Sequence, residues 1–292
     1  MKKIVFFGTE DFSLVALKGL YEAGFEISAV ITKPDSKRGR KQLLTAPAVK
    51  IYANEQGIRV IQPSKLKDHV GEIKQLGENI GVLVSYGKIV PNEIINLFNP
   101  GIINLHPSLL PKYRGPSPIE SAIVSGDKTT GISIMKLTSS MDAGPIYKQV
   151  EYSLIGNETK TELYDKLAQL GTKTLIDTLP SIDDGSLVPV EQNENEAVYC
   201  QLLDKDSGLL NPLKLTADEA ERMVRAYIGF PKTRLTIDYN DIIVTKSHIT
   251  EDKDLPLVIK FKNNTHLAVD ELIAPSGKLM TSEAFMNGVR NT

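Results

Sequence analysis

The segment Lys3-Ile4-Val5-Phe6-Phe7-Gly8-Thr9-Glu10-Asp11 near the start of the chain carries the decisive fold signal. The run from Lys3 to Phe7 is short and continuously apolar, which reads as a strand buried on both faces. Gly8 closes it, and Asp11 stands as a helix cap before Val15, Leu17, Leu20 and Tyr21. A strand, a tight turn and a helix follow one another. The same unit recurs downstream. Ile27 to Thr32 reads as a strand, Pro47 to Gln56 as a helix, Ile80 to Ser85 as a strand, Pro91 to Phe98 as a short helix with Pro at its start, and Ile102 to Leu105 as a strand. Alternation of this kind predicts a doubly wound, Rossmann-like α/β domain with a parallel sheet. Gly8-Thr9 lacks the GxGxxG pattern of a dinucleotide site, so no nicotinamide cofactor is expected.

Ile132 to Leu137 and Ile146 to Val150 read as later strands. Thr159 to Ile182 reads as a long amphipathic helix with Leu163, Leu167, Leu170, Leu175 and Leu179 on its apolar face. Between Gln192 and Ala197 the chain turns polar and acidic. The predicted division is a catalytic domain over residues 1–189, a linker over 190–207 and a small C-terminal domain over 208–292. The last begins with a helix from Thr216 to Tyr227, where Thr216 and Glu219 have capping-box spacing. Strand-like segments follow at Arg234–Asp238, Asp241–Ser247, Leu257–Phe261 and His266–Leu272, which predicts a small OB-like β-barrel.

Composition narrows the functional classes. With 292 residues, 41% hydrophobic and 24% charged, the chain has the make-up of an ordinary soluble globular protein. Its formal net charge of −2 gives no global attraction to a polyanion, so contact with nucleic acid has to come from a local cluster. One exists: Lys33 to Lys41 holds Lys33, Lys37, Arg38, Arg40 and Lys41 against Asp35 alone. Cys200 is the only cysteine, which excludes an intrachain disulfide and a thiolate metal cluster, and no metal is expected. The N-terminal apolar run is too short for a signal peptide, and no stretch approaches the roughly 20 apolar residues of a membrane span. The expectation is a cytoplasmic, monomeric protein.

The chemistry lies at the end of a strand. Ligands of open α/β sheets bind beyond the carboxyl ends of the strands, where connections reverse. Asn104-Leu105-His106-Pro107-Ser108-Leu109-Leu110-Pro111 occupies such an end. With Leu105 turned into the packing, Asn104 and His106 share the opposite side, because strand side chains alternate. An amide N–H can hold an oxyanion and an imidazole can move protons, which suits acyl transfer to an amine. A lone His after a strand is usually a packing residue. Ser139-Ser140-Met141-Asp142-Ala143-Gly144-Pro145 changes that reading, because a loop between two strands of the same sheet can return the Asp142 carboxylate to the same mouth.

The stretch INLHPSLLPKYRGPSPIESAIVSGDKTTGISIMKLTSSMDAGPI, Ile103 to Ile146, resembles the signature of the 10-formyltetrahydrofolate-dependent formyltransferases. The resemblance implies catalytic roles for Asn104, His106 and Asp142. It also implies a folate site at Ser108, Leu109, Leu110 and Pro111, with Tyr86, Gly87 and Ile89 helping to wall the pterin pocket. The opening KIVFFGTEDFSLVALKGLYEAGFEISAVITKPD and the later LLDKDSGLLNPLKLTADEAERMVRAYIGFPKTRLTI resemble the methionyl-tRNA formyltransferases within that superfamily, so similarity covers nearly the whole chain. Two departures stand out: Glu10 replaces a usual Pro, and the chain has no Trp.

Asn, His and Asp do not name the acceptor amine. The basic segment falls where methionyl-tRNA formyltransferases carry an inserted loop, which implies tRNA contacts from Lys37, Arg38, Arg40 and Lys41, with Arg40 on the family's tRNA-contacting Arg. The implied partners are 10-formyltetrahydrofolate as formyl donor and charged initiator tRNA as acceptor. Lys205, Lys214, Arg222, Arg225, Lys232, Arg234 and Lys246 offer a second cationic surface. The alternative acceptor is a small amine, such as an amino sugar nucleotide or glycinamide ribonucleotide. A sugar enzyme needs no basic insert, and a glycinamide ribonucleotide enzyme normally lacks the second domain.

Overall fold

The computed structural model describes residues 1–38, 42–237 and 240–290, which divide into two compact units. Unit 1 comprises Met1–Pro116, Thr129–Ser153 and Tyr164–Cys200, and unit 2 comprises Ser117–Lys128, Leu154–Leu163 and Gln201–Thr292. The smaller unit is thus assembled from the C-terminal part of the chain and two upstream segments.

In chain order the elements begin with β1 (Lys3–Gly8), α1 (Asp11–Glu22), β2 (Ile27–Ile31), β3 (Ser36–Arg38), β4 (Leu43–Thr45), α2 (Ala48–Glu55), β5 (Val60–Ile61) and α3 (Val70–Lys74). They continue with β6 (Asn79–Val84), α4 (Asn92–Ile95), β7 (Ile102–His106), α5 (Pro118–Ser125), β8 (Thr129–Lys136), β9 (Ile146–Ser153) and α6 (Lys160–Asp183). Unit 1 is built on a seven-stranded sheet of order β5-β2-β1-β6-β7-β8-β9. The first five strands are parallel. The order reverses on either side of β1, which places the topological switch between β1 and β6.

The expected parallel sheet needs one correction, because β8 and β9 run antiparallel to their neighbours. Only residues 137–145 separate these two strands, too few for the crossover that a parallel pair requires. No crossover helix of unit 1 joins β7 to β8 either, since α5 belongs to unit 2. A second difference is local: Asp11 is the first helical residue of α1, and Glu10 is its cap, without a side-chain capping bond.

Burial explains why the apolar strands were readable. Ile4, Val5, Phe6 and Phe7 are fully buried, as an inner strand of a sheet covered on both faces must be. On one side Phe7 packs edge-on against Tyr86 and Phe98, with ring centroids 5.8 and 5.7 Å apart. Helix α6 packs closely on β7. A Cβ at Gly171 would come within 2.9 Å of the Leu105 side chain and would have to displace it.

The remaining elements, all in unit 2, are α7 (Ala217–Ala226), β10 (Thr233–Ile237), β11 (Asn240–Ile249), β12 (Val258–Lys260), β13 (His266–Ile273), β14 (Leu279–Thr281) and α8 (Ser282–Arg290). Thr216 and Glu219 form the expected capping box at the start of α7. The strands make one antiparallel sheet of order β10-β11-β13-β12, with β14 also paired to β13. Arg222 Nε donates to the Val124 carbonyl at 2.8 Å, and Arg225 Nη1 donates to the Glu158 carbonyl at 2.7 Å, which fasten the upstream segments into unit 2.

Candidate active site

Strand β7 delivers Asn104 and His106 to one side of the sheet and Leu105 to the other, where it meets α6. The loop between β8 and β9 brings Asp142 to them. Asn104 Nδ2 lies 3.4 Å from Asp142 Oδ1, and His106 Nδ1 lies 3.8 Å from Asp142 Oδ2. Sequence reasoning grouped these three, and the structure brings them together within unit 1.

His106 Nε2 is 2.9 Å from the Tyr113 carbonyl. A carbonyl only accepts, so this contact assigns the proton of the neutral ring to Nε2 and leaves the Nδ1 lone pair toward Asp142. At 3.8 Å the two are beyond a direct hydrogen bond but close enough for the carboxylate to stabilise an imidazolium. Gly115 N–H donates to Asp142 Oδ2 at 2.9 Å and fixes that oxygen. Asp142 itself has φ +47°, a left-handed conformation that L residues adopt rarely and that persists only where the surroundings hold it. Asn104 and His106 are buried, with 4% and 5% of their surfaces exposed, yet neither is enclosed by apolar partners alone. Asn104 keeps a second amide N–H, with no protein acceptor for it among the described residues.

The Ser108–Pro111 segment is held rigidly. Ser133 Oγ donates to the Ser108 carbonyl at 2.7 Å and accepts from Leu110 N–H at 3.1 Å. Gln149 Nε2 donates to the Leu110 carbonyl at 2.8 Å and to Ser133 Oγ at 2.9 Å. Ser108 Oγ donates to the Lys112 carbonyl at 2.6 Å. Leu109 lies against Gly131, where a Cβ would meet its side chain at 2.7 Å. Nothing in the sequence pointed to Ser133 or Gln149, whose parts depend on strand pairing, with His106 opposite Ser133 and Ser133 opposite Gln149.

The three residues expected around the pterin separate. The Tyr86 ring is fully buried in the core against Phe7, and burial pushes its phenol pKa up to about 12. Its hydroxyl has no hydrogen-bond partner among the described residues. The side chain packs in this apolar cluster, and its main chain is bonded separately. There the Tyr86 carbonyl accepts from Thr9 Oγ1 at 3.0 Å. Gly87 has φ +68°, and a Cβ would collide with Lys33 Nζ. Ile89 is 87% exposed.

The basic segment forms a hairpin in which Ser36, Lys37 and Arg38 of β3 pair with Thr45, Leu44 and Leu43 of β4. Lys37 is exposed. Arg40, Lys41 and the Arg38 side chain lie outside the described residues. At the base, Lys50 Nζ donates to both oxygens of Asp35 at 2.8 Å, and Gln62 Nε2 donates to Asp35 Oδ1 and to the Lys33 carbonyl, both at 2.8 Å. Hydrogen bonds from Gln62 and then Lys50 hold the Asp35 carboxyl below its usual range. In unit 2, Arg222, Arg225 and Arg234 are engaged within the protein, the last with Asp206 and the Lys205 carbonyl. That leaves Lys205, Lys214, Lys232 and Lys246 of the expected cationic surface.

Among the described residues no group of His, Cys, Asp and Glu is arranged to hold a metal ion, and no helix is long and apolar enough to cross a membrane.

Residues 2–179 match the formyl transferase family model, so the class that fold and site define is a formyltransferase, and the chain is an enzyme. Full-length relatives narrow it. A methionyl-tRNA formyltransferase of Lactobacillus acidophilus is 35% identical over 99% of this chain and 96% of its own length. One of Thermodesulfovibrio yellowstonii is also 35% identical, over 98% and 95%. The chain belongs to the methionyl-tRNA formyltransferase family. A solved N-formyltransferase from Helicobacter canadensis, in complex with folinic acid and dTDP-3-aminofucose, superposes with a TM-score of 0.68 over 91% of this chain and 98% of its own. At 19% identity that likeness shows the shared fold, which does not select an acceptor.

Proposed function

We propose that the chain transfers the formyl group of 10-formyltetrahydrofolate to the free amino group of methionyl initiator tRNA, for translation initiation, at the Asn104–His106–Asp142 cluster. The convergence of an amide, an imidazole and a carboxylate at the mouth of the sheet supports the chemistry, and the methionyl-tRNA formyltransferases similar over nearly the whole chain support the acceptor. The amine nitrogen attacks the formyl carbon, and the carbonyl oxygen gains negative charge. The free N–H of Asn104 stabilises that charge. His106, protonated on Nε2, takes the amine proton at Nδ1, and Asp142 stabilises the imidazolium that forms. The proton then passes to N10 of the folate as the carbon–nitrogen bond breaks, leaving tetrahydrofolate and the formylated amine.

The donor sits against the Ser108–Pro111 segment, which Ser133 and Gln149 hold in place, and against the main chain at Tyr86 and Gly87. Lys37, Arg38, Arg40 and Lys41 engage the tRNA, where a cationic hairpin suits phosphate neutralisation and contact with unpaired bases. The antiparallel sheet of unit 2 acts as an OB-like second platform, with Lys205, Lys214, Lys232 and Lys246 available to phosphates. The test is formylation by the purified protein with 10-formyltetrahydrofolate and methionyl initiator tRNA, compared with uncharged tRNA, dTDP-amino sugars and glycinamide ribonucleotide. Transfer to the charged tRNA alone is expected. Transfer to a small amine and not to the tRNA would replace this reading.

A further inference from the structure

The polar stretch that reads as a linker is bonded to the site. Gln192 Nε2 donates to the carbonyl oxygens of Asp142 at 2.8 Å and Gly144 at 2.7 Å. Gln192 Oε1 accepts from Arg114 Nε at 3.0 Å and Nη2 at 2.8 Å. A guanidinium only donates and a carbonyl only accepts, so the Gln192 amide has one orientation. Arg114 is fully buried, and it also forks onto the Glu194 carboxylate at 2.9 and 2.7 Å and donates to the Tyr199 hydroxyl at 3.1 Å.

The neighbours of Arg114 explain why this matters. Tyr113 offers the carbonyl that fixes the His106 ring, and Gly115 offers the N–H that fixes the Asp142 carboxylate. The side chain between them grips Gln192, and Gln192 grips the main chain of Asp142. Asp142 and His106 are therefore tied to one segment, residues 113–115. The strained φ of Asp142 is held from outside its own loop.

We propose that Gln192 is a positioning residue of the transfer reaction, holding the Asp142 loop in its productive conformation with Arg114 as its buried anchor. The inference rests on the formyl-transfer reading above. Gln192 touches no reacting atom. Its two N–H bonds keep the Asp142 carboxylate facing His106 Nδ1. A change there affects the rate of the chemical step rather than the binding of either substrate.

Two variants test this. Gln192→Glu keeps an acceptor for Arg114 but turns an oxygen toward the two carbonyls, and Gln192→Met keeps the length with neither donor nor acceptor. Each is measured for kcat and KM with 10-formyltetrahydrofolate and methionyl-tRNA across pH, and for the ¹⁵N signals of the His106 ring, assigned with His106→Gln. The expected result is a kcat roughly 10-fold or more lower, KM for both substrates within about twofold, and an altered pH–rate profile. The ring signals are expected to move toward those of Asp142→Asn. Folded variants with parental kcat, pH profile and ring signals would overturn the inference, as would a loss confined to KM. If the parent formylates no charged tRNA, the functional reading fails instead, and the ring signals still decide whether Gln192 sets the geometry.

Discussion

His106 is 5% exposed and is bonded to a main-chain carbonyl, whereas Leu44, paired with Lys37 in the basic hairpin, is 71% exposed and Leu43 beside it is 63% exposed. At the sheet mouth Gly115, Gln192 and Tyr113 hold Asp142 and His106. In the hairpin, by contrast, the side-chain anchors among the described residues lie at its base, around Asp35. Groups that meet a transition state act best when no reorganisation is left to do, because a preorganised dipole is worth more than one that must turn. Groups that meet a long polyanion need reach, since their contribution comes from phosphate neutralisation and counterion release. On the proposed function, the first region serves rate and the second serves affinity.

The largest way to break this division is at His106. His106→Ala is expected to lower kcat by about 10²–10⁴-fold with the fold retained, the usual worth of a positioned proton-transfer group. Near-normal turnover in the folded variant would remove the mechanism. Asn104→Ala should follow with a loss of roughly 100-fold or more in kcat and little change in folate affinity, as for one lost oxyanion donor. An equal fall in binding and turnover would make Asn104 a ligand-positioning group. Asp142→Asn keeps the acceptor for Gly115 N–H but removes the charge facing His106 Nδ1, so it should change the shape of the pH–rate profile as well as the rate.

The same contrast decides what could be read without coordinates. Asn104 and His106 were legible because strand alternation is a local property, and Leu105 does turn the other way onto Gly171. Asp142 was legible because a loop between adjoining strands returns to the same edge. Tyr113 and Gly115 were not, since they act through a carbonyl and an N–H that nearly every residue possesses. Gln192 was hidden for another reason: it is separated from Asp142 by 50 residues, and a polar side chain in a polar stretch carries no sign of its partner. Tyr86 shows the limit in the opposite direction. Its place just after the strand Ile80 to Ser85 was readable, but which way its ring turns depends on the Phe7 packing that receives it. The capping box at Thr216 and the strands after it were readable, while α5 and the segment Leu154–Leu163 join unit 2 only through tertiary contacts.

The affinity side of the comparison is sharpened by replacing Lys37, Arg38, Arg40 and Lys41 together with Ala. The loss is expected in KM for tRNA, with kcat retained in large part because the sheet mouth is untouched. Each phosphate contact removed should flatten the dependence of log affinity on log salt by about 0.7–0.9, so four would flatten it by about three. Arg40→Ala alone should produce much of the effect, and Arg40→Lys should not fully restore it where a planar fork or stacking is used. A quadruple variant that binds and uses charged tRNA as the parent does would leave a small amine as the acceptor.

The smallest expected effect lies at the base of the hairpin. Asp35 accepts from Lys50 with both oxygens and from Gln62, which also holds the Lys33 carbonyl, so this carboxylate ties the start of the hairpin to α2 and to the residue after β5. Asp35→Asn removes the charge and one acceptor while leaving the catalytic cluster alone, so kcat should stand and tRNA affinity should fall only slightly. Its stability effect has a definite sign with pH. The carboxyl pKa is depressed in the folded protein, first by the Gln62 hydrogen bond and then by Lys50. Its contribution is therefore present above the unfolded value, about 3.9, and is lost as pH falls through the lower folded value. Thermal midpoints of parent and Asp35→Asn should differ modestly at pH 7, because the pair is partly exposed, and should converge on acidification below about pH 4. A gap that stays constant or widens as the carboxyl protonates would show that Asp35 anchors the hairpin by shape and hydrogen bonding alone, without its charge.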